Sequence, residues 1–370
     1  MAKYRVGLIG CGRKGGQHGR AYALNPLTEV VALADTDAEN LELYSGFFNT
    51  PGYADYREMI EKEQIDIAAP ILPVGPNPEV VLGCAEAGVK AILCEKPMGS
   101  TLEEVDRMVE VCRERGIKFG AGDMDRNLPY YWQARKLIEE GELGEVCSIT
   151  FVGGSGIEIS GGGCQQLSLM RHFAGDVDVD WVSGWVSGDP FSDEDQGAAG
   201  YVRFANGIEG FLQRERDARG SGFDVACTGG LIQSRNGVLR LWKAEEGGEL
   251  KEVEGLFPAA SVMGNTSGSY VVDGWKWPGD RNTATVQSIV DALEQDIEPR
   301  SSGDNGRKVL ELAIALRESH RRGHAPVKLP LEDRGLTLYP KKARLENKKP
   351  DIGAKEYIEL IRSAMKEKSA

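Results

Sequence analysis

Six residues, Gly10-Cys11-Gly12-Arg13-Lys14-Gly15, follow directly on the apolar stretch from Tyr4 to Ile9. A short buried strand that runs through a glycine turn into a helix admits few architectures. In such a turn Gly10 permits the tight bend, Gly12 lets backbone approach a pyrophosphate, and Gly15 lets helix and strand pack closely. The pyrophosphate then rests on the unpaired N–H groups at the positive end of the helix. The spacing alone is a weak signal, because glycine turns are common. Here a strand precedes it, and the helical pattern that follows runs to Ala23 and stops before Pro26.

A second strand is expected over 29–34, ending at Asp35, 20 residues beyond Gly15. A carboxylate there accepts hydrogen bonds from ribose hydroxyls and repels a 2′-phosphate, so the cofactor is read as NAD(H) rather than NADP(H). Arg13 and Lys14 could touch phosphate, and Arg13 loosens the exclusion of NADP. His18, one turn into the helix, is read as packed or hydrogen-bonded.

Further along, apolar runs alternate with amphipathic stretches: helices over 37–48, 78–87 and from Thr101 to Gly116, and strands over 66–72, 89–94 and 117–121. Thr101 with Glu104 has the spacing of a capping box, and Gly88 suits a helix C-terminus. That alternation means a doubly wound parallel sheet. Beyond about residue 145 the texture changes. Strand-like runs at 147–152, 199–204, 208–213, 223–228 and 238–242 are separated by turn signals such as Asn206-Gly207 and Asn236-Gly237. They predict a mostly antiparallel sheet. Helices are expected over 283–294, 304–321 and 354–365.

The fold class is therefore α/β: a Rossmann doubly wound domain over 1–125, an α/β domain with a large, mostly antiparallel open sheet over 126–332, and a tail over 333–370 that returns to the body or to a neighbouring subunit. With 370 residues, more than one core is expected. A net charge of −13 argues against nucleic acid and anionic membrane surfaces. No apolar run is long enough for a bilayer, no leader pattern opens the chain, and seven scattered cysteines suit a reducing compartment, so a cytoplasmic location is expected. No residue cluster has zinc spacing, and no metal is expected.

Glu95-Lys96-Pro97 follows the strand that ends at Cys94. Ligands of open α/β sheets bind at the carboxyl ends of strands. A partly desolvated lysine there can have its pKa lowered enough to exchange a proton with a substrate hydroxyl. Pro97 restricts the chain and can adopt a cis bond, aiming Lys96.

The glycine turn, Asp35, Pro73 after the third strand and Glu95-Lys96-Pro97 together resemble the Gfo/Idh/MocA oxidoreductases. The stretches 137–146, 204–207 and 327–331 are similar to that family's domain crossing, sheet hairpin and closing segment. The resemblance implies a sugar, inositol or related polyol as substrate and hydride transfer at the nicotinamide. It also implies Lys96 as acid/base, with Pro73, Glu95 and Lys96 beside the cofactor, and a homodimer or homotetramer formed through the open face of the C-terminal sheet.

One motif departs from the family. Where relatives carry D-x-G-x-H-x-x-D, Gln165 falls on the histidine and Ser168 on the aspartate. Neither titrates near neutral pH. His172 lies seven residues on, in a register that faces elsewhere, and Asn77 falls where the family often has histidine. Two readings follow. Lys96 could suffice as the acid/base group of an NAD(H)-dependent oxidoreductase acting on a secondary hydroxyl or ketone, with Gln165, Ser168, Arg126, Asn127 and Arg171 positioning substrate. Alternatively the chain is a non-redox enzyme with tightly bound NAD, or a catalytically impaired binding relative. Arg126 could instead pair with Asp123 or Asp125, and Trp275-Lys276-Trp277 could stack on a sugar or belong to core or interface.

Overall fold

The computed structural model describes residues 3–122, 125–153, 158–192, 194–213, 222–235, 238–254, 269–272, 275–278, 281–338, 355 and 358–359. The chain divides into two compact units, one of residues 1–122, 285–304 and 344–370, the other of 123–284 and 305–343.

The first unit begins with β1 (Tyr4–Ile9), α1 (Arg13–Leu24), β2 (Thr28–Ala34), α2 (Ala38–Phe48), β3 (Gly52–Tyr53) and α3 (Tyr56–Glu63). It continues with β4 (Ile67–Pro70), α4 (Asn77–Glu86), β5 (Ala91–Cys94), α5 (Leu102–Glu114) and β6 (Lys118–Ala121). All its strand pairs are parallel, in the order β3-β2-β1-β4-β5-β6. The order reverses between β1 and β4, the place where open α/β sheets bind ligands. Val6, Leu8, Leu33, Ile67, Ala69, Ala91 and Leu93 are buried in one core with Tyr22 and Tyr44 from the helices. Such runs, covered on both faces, are why these strands read as continuous apolar stretches.

Local signals fixed several boundaries. Asp37 caps α2 by accepting from Asn40 N–H, and Thr101 and Glu104 form both halves of a capping box on α5. The short β3–α3 excursion was not expected; it is capped by Asp55, which accepts from Arg57 N–H.

The helix α8 (Arg281–Gln295) departs from the expected 126–332 domain, because residues 285–304 belong to the first unit. Its Val286 and Ile289 are buried in the first unit's core, and a Cβ on Gly120 would meet Ile289 Cδ1 at 2.6 Å. Ile358, from the tail, is buried in the same core. The other residues of the expected helix over 354–365, apart from 355 and 359, lie outside the described residues.

The second unit holds α6 (Pro129–Glu139), β7 (Val146–Val152), α7 (Cys164–Phe173), β8 (Val179–Val186), β9 (Ala198–Phe204), β10 (Glu209–Gln213) and β11 (Gly222–Cys227). After these come β12 (Gly230–Arg235), β13 (Val238–Ala244), β14 (Leu250–Glu252), the hairpin of β15 (Ser269–Val272) and β16 (Trp275–Pro278), most of α9 (Gly303–Arg321), and β17 (Val327–Lys328). Among the described residues its main sheet has the order β14-β13-β12-β11-β7-β10-β9-β8-β17, antiparallel throughout except where β10 meets β7. Gly207, at φ +89°, closes the β9–β10 turn after Asn206, whereas Asn236-Gly237 lies outside the described residues. One face of the sheet buries Ile149, Phe151, Val202, Leu212, Phe223 and Val225. Gly184 and Gly200 leave room there for Leu316 of α9, and Gly210 for Met170 of α7.

Candidate active site

In the first unit the predicted glycine roles have distinct physical causes. Gly10 has φ +97°, and a Cβ there would meet Ile71 carbonyl oxygen at 2.6 Å. A Cβ on Gly15 would fall 1.9 Å from Gly10 carbonyl oxygen, so α1 can lie this close to the turn only without a side chain. At Gly12 no atom lies within 4 Å of the Cβ position. Gly12 is the N-cap of α1, no side chain caps it, and the first turn carries no acid. An uncapped helix N-terminus under open space is a cradle for a diphosphate.

Asp35, half-buried beyond β2, faces this turn. Its Oδ2 accepts from Cys11 N–H, and its Oδ1 accepts from Asp37 N–H at 2.8 Å. A carboxylate has about four lone-pair positions, so each oxygen keeps one for a ribose hydroxyl. The glycine cradle and this carboxylate together fit an adenine dinucleotide.

The Glu95-Lys96-Pro97 turn leaves the carboxyl end of β5, two strands from β1 in the same sheet, or about 10 Å away. The Lys96–Pro97 peptide is cis. Glu95 is only 7% exposed; its Oε1 lies 3.1 Å from His18 Nε2, and its Oε2 accepts from Lys96 N–H at 3.1 Å. Burial works to raise its pKa, but the His18 hydrogen bond and the charges of Lys14 and Lys96 outweigh it and hold the carboxyl at about 2. Asn77, at the first turn of α4, points Nδ2 at the carbonyls of Glu95 and Pro97, each at 3.4 Å. Pro73 sits just beyond β4, on the same carboxyl edge.

The second unit gathers its candidate residues into a buried polar frame. Gln165 Oε1 accepts from Asp125 N–H at 3.1 Å, and Asp125 is paired with Arg281 at 2.8 Å. Ser168 is fully buried and its Oγ accepts from Asn305 Nδ2 at 2.9 Å. Arg126 Nη2 donates to Asp176 at 2.5 Å and Nη1 to Ser168 carbonyl at 3.2 Å. Arg135 also donates to Asp176. Burial opposes the Asp176 charge, but Arg126 and the neighbouring cations hold its carboxyl well below the usual range. Arg171 donates to Asn305 and to the carbonyls of Val177 and Asp176. Asn127 is completely buried.

Residues 4–122 match the family described as an oxidoreductase family with an NAD-binding Rossmann fold, Gfo/Idh/MocA. That match covers the glycine turn, Asp35 and the Glu95-Lys96-Pro97 turn. The chain is 34% identical over 147 residues to the rhizopine catabolism protein MocA of Rhizobium meliloti, covering 40% of this chain and 45% of that protein. To myo-inositol 2-dehydrogenase of Thermotoga maritima it is 27% identical over 237 residues, 58% of this chain and 69% of that one. The alignment with MocA therefore spans under half of that relative's length. In fold, a levoglucosan dehydrogenase complexed with NADH and L-sorbose superposes with a TM-score of 0.75 at 21% identity, over 89% of this chain and 100% of that one.

The site residues read from the sequence divide between the two units. Gly10, Gly12, Arg13, Lys14, Gly15, Asp35, Pro73, Glu95 and Lys96 all lie along the glycine turn or the carboxyl ends of the first unit's strands. In the second unit three of the expected substrate residues have protein partners. Arg126 pairs with Asp176, which follows α7 at φ +60° and takes two guanidinium groups at once, while Asp125 pairs with Arg281; Asp123 lies outside the described residues. Ser168 is inside the frame, held by Asn305. Arg171 anchors the exit of α7 through backbone carbonyls. His172, fully buried, is pushed well below its ordinary range by burial first and by Arg126 and Arg135 next, so it stays neutral. Sequence reasoning missed Asp176, Asn305 and the His18–Glu95 pair, which join residues far apart in the chain.

Proposed function

We propose that the protein is an NAD(H)-dependent oxidoreductase acting on a secondary hydroxyl, or the corresponding ketone, of a sugar, cyclitol or related polyol, with Lys96 as acid/base. The observation that carries the reading is the lysine turn at the carboxyl end of β5, in the same sheet as the glycine cradle. The nicotinamide, when bound, supplies the hydride acceptor or donor. Lys96 takes the hydroxyl proton as the C–H bond is broken, or returns it in reduction. Asp35 selects NAD over NADP by repelling a 2′-phosphate.

Among the second unit's polar groups, Gln165 is assigned to substrate hydroxyls. Arg126, Asn127, Ser168 and Arg171 hold the frame around it. An amide donates and accepts, which suits a neutral polyol.

A panel of sugars and inositols with NAD, followed at the reduced nicotinamide band, tests this reading. Net NADH formation with one class of polyol supports it. Turnover without net NADH, from protein that purifies with NAD retained, supports the non-redox alternative. That alternative is favoured by one observation: α7 carries Gln165 and a buried Ser168 where a histidine and an aspartate were expected, with His172 buried and neutral.

We also infer a homodimer or homotetramer through the open face of the large sheet. Trp181, Tyr201 and Phe211 form a continuous aromatic row there, with ring centroids 4.9 and 5.3 Å apart, and Trp185 is 49% exposed. Trp185→Lys is expected to lower the mass measured by light scattering, and an unchanged mass would count against this face.

A further inference from the structure

Resting on the assignment of Lys96 as the acid/base group, we infer that His18 and Asn77 are positioning residues that clamp the lysine turn from two different helices. A lysine side chain is a flexible stem with four carbons, so its amine arrives reproducibly only if the backbone beneath it is fixed. Three neighbouring elements hold the turn.

The first hold comes from α1. His18 is fully buried, and its Nε2 meets Glu95 Oε1 at 3.1 Å. The other Glu95 oxygen takes the Lys96 N–H at 3.1 Å. One carboxylate therefore ties the imidazole to the backbone of the residue whose amine reacts. His18 Nδ1 has no partner among the described residues.

The second hold comes from α4. Asn77 is 1% exposed, and its Nδ2 bridges the carbonyls of Glu95 and Pro97, the residues on either side of Lys96. The third comes from the end of β6. A Cβ on Gly122 would lie 3.0 Å from Glu95 Cα and 3.1 Å from Oε2, so the backbone there is pressed directly on Glu95.

The arrangement also links two functions of one helix. Gly12 opens α1 at the diphosphate cradle, and His18 lies six residues on, about 9 Å along the axis. The helix that receives the nucleotide is thereby fastened to the turn that carries the lysine.

The test uses His18→Leu, His18→Gln and Asn77→Ala, each checked for folding by circular dichroism. In turnover, His18→Leu and Asn77→Ala are expected to lose about tenfold to a hundredfold in kcat, with KM for NAD within about twofold of the native value. His18→Gln, whose amide can still donate to Glu95, is expected to recover most of the loss. A second readout needs no turnover. Acylation of Lys96 by acetic anhydride, in competition with a free amine and read by peptide mass spectrometry across pH, is expected to shift in His18→Leu and Asn77→Ala and to return in His18→Gln. Lys62 and Lys90, both on the surface, serve as controls and are expected not to move. Identical Lys96 labelling curves in all folded variants would overturn the clamp, whatever the turnover assay gives. A shifted curve in variants of a native protein that shows no dehydrogenase turnover would overturn the role of Lys96 and leave the clamp standing.

Discussion

His18 Nε2 lies 3.1 Å from Glu95 Oε1, two groups 77 positions apart in the chain and both withdrawn from water. The carboxyl is held at about 2 in the folded protein, below its ordinary value near 4.3. A depressed carboxyl adds stability above its unfolded pKa, and that stability is lost as pH falls through the folded one. The window here runs from about pH 4 down to about 2, and the contribution at neutral pH is on the order of 3 kcal/mol. In urea denaturation, Glu95→Gln is expected to be less stable than the native protein at pH 7, and the gap is expected to narrow by pH 3. A gap independent of pH would show that Glu95 is not the ionised partner described.

Gly12 and Gly15 separate binding from folding. Gly12→Ala adds a Cβ that meets no protein atom within 4 Å, whereas Gly15→Ala drives one to 1.9 Å from Gly10 carbonyl oxygen. Gly12→Ala is expected to keep the native melting temperature and lose most NAD affinity by calorimetry. Gly15→Ala is expected to lower the melting temperature itself, since overpacking costs about 1–3 kcal/mol or more. Equal NAD affinity in Gly12→Ala would remove the diphosphate from this turn.

Asp35 has two tasks, holding Cys11 and Asp37 N–H groups and offering its remaining lone pairs outward. Asp35→Ser removes the charge. Loss of one or two hydrogen bonds to a charged acceptor, about 1.5–3 kcal/mol each, is expected to weaken NAD binding by about tenfold or more. Affinity for NADP is expected to fall less or to rise. Parallel losses for both nucleotides would contradict the selectivity role.

The obvious restoration of a family carboxylate at position 168 is expected to fail. Ser168 has no solvent exposure, and among the described residues its Oγ accepts from the neutral amide of Asn305 at 2.9 Å, while the nearby Arg126 is already committed to Asp176 and the Ser168 carbonyl. A charge placed there without a cationic partner costs several kcal/mol. Ser168→Asp is therefore expected to melt well below the native protein, and a variant as stable as the native one would show that the position opens to solvent.

What the sequence made legible was local. The strand, glycine turn, helix and acid are all read within 35 residues, and the caps at Asp37 and Thr101 act within one turn of chain. The helix α7 escaped notice because Gly161, Gly162 and Gly163 precede it and mask its start. The partners within the substrate frame were hidden for a different reason. Arg126, Ser168 and Arg171 have polar side chains of the right type, but Asp176 and Asn305 satisfy them, and neither partner has a sequence signature. Glu95 was read as a cofactor neighbour. Its bond to His18 depends on where α1 and β5 meet, which no short motif encodes.

The most direct measurement compares native protein with Lys96→Ala, recording NADH formation with the best polyol of the panel and NAD affinity by calorimetry on the same samples. The expected result is near-complete loss of NADH formation in Lys96→Ala while NAD binds within about threefold of the native affinity. Undiminished NADH formation without the lysine amine, or no heat of NAD binding to the native protein, would contradict the reading.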